Sequence, residues 1–120
     1  MVEALKRAAP LLTIILAGAI GYLSLSPLAE LPKAPGGDKL HHFIAYAALT
    51  FPMMFANARK WQRILILAIL YGGAIELIQP FVNRYGEWLD FAANSAGCLI
   101  GAGLALLTSR LLAQAKLPSL

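Results

Sequence analysis

Asp38, His42 and Tyr46 stand four residues apart, so on a helix they share one face, with His41 turned about 100° away. Glu76 and Gln79 are three positions apart, and Asp90 and Asn94 are four apart. Lys39 and Arg84 add cations close by. A carboxylate or imidazole near a bilayer interface can take a proton as a general base, and an arginine can clamp a phosphate or carboxylate. Glu76, His42 and Asp90 are therefore the candidate catalytic groups. Asp38, Lys39, His42, Tyr46, Glu76, Gln79, Arg84, Asp90 and Asn94 form the candidate ligand-binding set. Structural readings stand beside these. Asp38 and Asp90 fall near helix starts, where a carboxylate satisfies free N–H groups. Glu76 could clasp neighbouring helices, and Tyr46 could be a core aromatic whose hydroxyl bonds Asp38, His42 or Glu76. No H-E-x-x-H spacing and no Gly-rich phosphate loop occurs, so neither a metal site nor a cofactor is expected.

Four apolar runs must position these side chains, at about residues 10–25, 38–56, 61–79 and 87–113. Each is close to the roughly 20 residues that cross a hydrocarbon core. Pro10 suits a first helical turn, and Ser26-Pro27 ends the first run. The second starts at Asp38 after a glycine pair, and Pro52 should kink it or mark a close neighbour. It is the weakest span, because its purely apolar part is short. The third stops at Pro80. In the fourth, Gly97 and Gly101 continue the Asp90–Asn94 stripe inward and predict close helix packing there. Glu76 follows twelve residues, Ile64 to Ile75, that carry no charged side chain. An ionised acid at the bilayer centre costs roughly 2.5–3.5 kcal/mol and less near the interface, so Glu76 should face inward toward Arg84, His42 or Asn94.

The composition agrees with lipid as the solvent. Of 120 residues, 59% are hydrophobic and 13% charged, against about 25% charged in soluble domains. The chain is expected to be one domain, 1–120: an all-α membrane protein, a bundle of four transmembrane helices. Lys6-Arg7 and the following apolar run resemble a signal peptide, but the run continues through Leu25 and is taken as a retained helix. With a cytoplasmic amino end, the inner segments hold Lys6, Arg7, Arg59, Lys60, Arg63, Arg110 and Lys116. The outer ones hold Lys33, Lys39 and Arg84. Seven against three predicts that both termini are cytoplasmic. Glu30, Asp38, Glu76, Glu87 and Asp90 then all fall on the outer side. The net charge of +4 is spread over the ends of apolar runs, so nucleic acid is not expected as a partner. Cys98 is the single cysteine and reads as a small core side chain.

Asp38-Lys39-x-x-His42-Phe43 with Tyr46, then Glu76-x-x-Gln79, Arg84, and Asp90-x-x-x-Asn94-x-x-Gly97-x-x-x-Gly101 together resemble the VanZ-like family over residues 38–103. The resemblance implies a bacterial inner (cytoplasmic) membrane protein with a link to the cell envelope, the founding members being associated with teicoplanin resistance. It implies no established molecular activity. Pro80 and the second histidine, His41, depart from the family's pattern.

Three functions compete. The first is binding or modification of an envelope target, a phosphorylated lipid or cell-wall precursor headgroup, at the outer face. The second is a membrane enzyme with Glu76 or His42 as base. The third is a scaffold or homo-oligomer in which the polar residues are clasps and Gly97 and Gly101 pack copies together.

Overall fold

The computed structural model describes residues 1–26, 38–82 and 88–115. Glu30, Lys33, Arg84, Tyr85, Glu87 and Lys116 lie outside the described residues, as does the side chain of Asp38. Among the described residues the chain forms four α-helices: α1 (Val2–Leu25), α2 (Asp38–Ala56), α3 (Trp61–Ile78) and α4 (Trp88–Ala115). Short 3₁₀ segments follow α2 (Ala58–Lys60) and α3 (Gln79–Val82).

The first helix starts eight residues before the predicted Pro10, which lies inside α1 rather than in its first turn. An interior proline removes one backbone hydrogen bond, at a cost of about 3 kcal/mol. What offsets it is local and tertiary. Glu3, Ala4, Leu5, Lys6, Arg7 and Ala8 include strong helix formers. Val2 packs on the core cluster of Met54, Phe55, Ala102 and Ala105, and the Lys6 ammonium lies 5.8 Å from the Phe55 ring centre. At the other end, Ser26 is extended (φ −81°, ψ 144°), as a residue preceding proline should be. Its hydroxyl donates to the Tyr22 carbonyl at 2.5 Å.

Among the described residues, three helical stretches are long and apolar enough to cross a membrane: Val2–Leu25, Ala58–Phe81 and Trp88–Ala115. The second helix is absent from that set, and its position explains why. It touches α1, α3 and α4, so most of its surface meets protein rather than lipid. A central helix needs small and polar packing groups instead of a continuous apolar coat.

The closest approach is α2 on α4. A Cβ at Gly97 would land on the Phe43 carbonyl, and one at Gly101 on the Ala47 backbone, whose Cα would stand 2.9 Å away. Glycine at both positions lets the two backbones touch. Pro52 is buried within α2. Thr50 and Thr108 each return their hydroxyl to a carbonyl one turn back, so neither carries a bare donor into an apolar setting.

The bundle is apolar outside. Leu11, Ile14, Leu67, Leu70, Leu99 and Leu107 are each more than half exposed. Thr50, Glu76, Gln79, Asp90 and Asn94 are buried, together with Tyr46, Met54 and Cys98. That inversion is what a hydrocarbon solvent selects.

Candidate functional site

The up-and-down course of the helices brings the start of α2, the end of α3 and the start of α4 to one end of the bundle. Lys39, His42, Glu76, Asp90 and Asn94 meet there as one cluster.

Asn94 is its centre. It is 1% exposed, and its Oδ1 lies 2.7 Å from His42 Nδ1. Its Nδ2 donates to Glu76 Oε1 at 3.5 Å. An amide oxygen can only accept, so with Asn94 in this orientation His42 carries a proton on Nδ1. The other ring nitrogen, Nε2, faces Asp90 Oδ2 at 3.9 Å. Glu76 Oε1 stands 3.8 Å from His42 Nδ1. The imidazole is therefore flanked by two buried carboxylates, one from α3 and one from α4. Lys39, about half exposed, reaches Asp90 Oδ1 at 3.4 Å and forms the rim. Asp90 lies in the first turn of α4 and also faces α2; its Oδ1 is buried and accepts no hydrogen bond.

Two members of the expected set do something else. The Gln79 side chain turns to α1, where Nε2 donates to the Ser24 carbonyl at 3.1 Å, while its Oε1 is buried without a hydrogen bond. The Tyr46 hydroxyl bonds neither His42 nor Glu76; it is buried with no hydrogen-bond partner, contrary to expectation. Its ring is held by shape, 6.4 Å centre to centre from Tyr71 and against Gly72. Tyr71 in turn donates to the Ala17 carbonyl, a second clasp between α3 and α1.

Gly72 is the residue that spacing overlooked. A Cβ there would meet Tyr46 at 3.1 Å and Asn94 at 3.3 Å, so its bare backbone makes room for both. The signal was present: a Gly72-Gly73 pair inside an apolar run, one turn before Glu76. A nitrogen of His42 and one oxygen each of Glu76 and Asp90 also lie within 4.8 Å of one another, a set of metal-ligating atoms. Linear spacing carried no such signal, because the three groups come from three helices.

An apolar-surfaced helical bundle with a buried, hydrogen-bonded polar cluster at one end defines a membrane protein. The sequence profile of the VanZ/LLP1 family matches residues 7–109, and the chain belongs to that family. No curated protein and no solved structure gives a significant match.

Proposed function

We propose that this VanZ/LLP1 protein sits in the bacterial inner membrane with both termini cytoplasmic and receives the polar headgroup of an envelope lipid or cell-wall precursor at the outer end of its bundle. The observation that carries the reading is the convergence of Lys39, His42, Glu76, Asp90 and Asn94 at one end of an otherwise apolar structure. Desolvated polar groups from three helices are costly to maintain in a membrane, and by default they mark a functional site. Lys39 on the rim favours an anionic headgroup. A cavity of about 360 Å³ lies deeper in the bundle, between α1, α2 and α3, lined by Thr13, Ile14, Leu49, Met53, Leu67 and Tyr71. Its nearly apolar walls suit part of a lipid tail. The excess of basic residues at the opposite end supports the orientation.

The glycine stripe speaks against the scaffold alternative as it was first framed. Gly97 and Gly101 are used inside the chain, against α2, and are not free to pair copies. The test is complementation: cells lacking the gene receive wild type, Glu76→Gln or Lys39→Ala, and envelope lipids, wall precursors and teicoplanin susceptibility are compared. Variants that fold and insert normally should fail to restore the wild-type profile. Full restoration by both would rule the cluster out as the working site.

A further inference from the structure

We propose that His42, Glu76 and Asp90 bind one divalent transition-metal cation of the zinc class, with Asn94 holding the His42 ring in its coordinating tautomer. One imidazole nitrogen and two carboxylate oxygens form a donor set that suits zinc and its neighbours in the first transition row. The three atoms lie within 4.8 Å of one another. Metal–ligand bonds of about 2.0–2.2 Å set donors roughly 3–4 Å apart, so small side-chain rotations complete the site.

The distances favour an ion over a simple clasp. Direct charge-assisted bonds between an imidazolium and a carboxylate close to about 2.7–2.9 Å. Here Asp90 Oδ2 stands 3.9 Å from Nε2 and Glu76 Oε1 stands 3.8 Å from Nδ1, the nitrogen that Asn94 engages, so neither buried carboxylate closes on the ring. Two further observations bear on the donors. Asp90 faces the ring with Oδ2, while its Oδ1 is buried, accepts no hydrogen bond and has Lys39 at 3.4 Å on the rim. His42 Nδ1 is engaged by Asn94 at 2.7 Å, which leaves Nε2, on the Asp90 side, as the nitrogen available to a metal. A metal-binding histidine is typically fixed in this way through its other nitrogen. Three protein donors leave a coordination position open, which would accept water or an anionic oxygen.

The site is tested on the full-length protein in detergent, stripped with chelator and titrated by calorimetry with Zn²⁺, Mn²⁺ and Mg²⁺ separately. One Zn²⁺ per chain should bind at micromolar concentration, and Mg²⁺ far more weakly. His42→Ala and Glu76→Gln should abolish saturable binding, and Asn94→Ala should weaken it about 10–100-fold. No saturable Zn²⁺ binding to wild type, or unchanged binding in Glu76→Gln, overturns the proposal. X-ray absorption on the wild-type complex decides the matter should the variants fail to fold. It should show nitrogen and oxygen donors with an imidazole; a sulfur donor would place the metal on Cys98 and overturn the assignment. Because the titration uses metal alone, a negative result leaves the headgroup reading standing. Loss of headgroup response with metal binding intact would sink only that reading.

Discussion

Asn94 joins three helices through one side chain, accepting from His42 on α2 and donating to Glu76 on α3 from its own place on α4. Interhelical hydrogen bonds in membranes average about 0.6 kcal/mol, but a buried group left without its partner loses about 1–3 kcal/mol. Asn94→Ala leaves two such groups without their partner, so about 2 kcal/mol of stability or more should be lost, read as a lower thermal midpoint in detergent. Tyr46 predicts the opposite. Its hydroxyl is buried without a hydrogen bond, so Tyr46→Phe should leave the midpoint unchanged or raise it by up to about 1 kcal/mol equivalent. Four-residue spacing placed Tyr46 and His42 on one face, and it located Asp90 and Asn94 at the same end. Partner choice was not legible. Whether Gln79 turns to His42 or to the Ser24 carbonyl depends on how α1 leans on α3, which no local pattern encodes.

Among the elements, α2 and α4 are joined most tightly, and glycine makes that possible. Gly101→Val would drive a branched side chain into the Ala47 backbone, which cannot rotate aside. The expected loss is about 1–3 kcal/mol or more, measured as the midpoint shift on unfolding in mixed micelles. Gly103→Val, on the same helix with open space at its Cβ, should change little and serves as the control. The α2 start at Asp38 was readable from the glycine pair before it, and the α3 end, expected at Gln79 before Pro80, falls one residue earlier at Ile78, with a 3₁₀ segment running on through Pro80. The α1 start was misread, since proline marks first turns often enough to hide a helix running through it. The tertiary support for that extra length, Lys6 over Phe55, spans some fifty residues of sequence and leaves no local trace.

At the scale of the whole molecule, the proposed orientation predicts which segments face outward. In a Cys98→Ser background, Arg59→Cys should react with an impermeant maleimide only after cells are opened, and Lys33→Cys and Arg84→Cys should react in intact cells. The same experiment checks whether α2 crosses, because Lys33 and Arg59 fall on opposite sides only if it does. The inside-out distribution of polarity was visible from composition alone; the cavity beside α1 was not, since it arises where Pro10, Thr13 and Tyr71 fail to fill the space between helices. The glycine contacts divide the site mechanically. His42 and Asp90 hang from backbones in van der Waals contact, so their separation is set by the covalent shape of two welded rods. Glu76 hangs from α3, whose Gly72 and Gly73 rest on the side chains of Tyr46, Asn94 and Phe91 rather than on backbone. Side chains can rotate where a backbone cannot, so adjustment to an arriving guest is expected first in the jaw that carries Glu76.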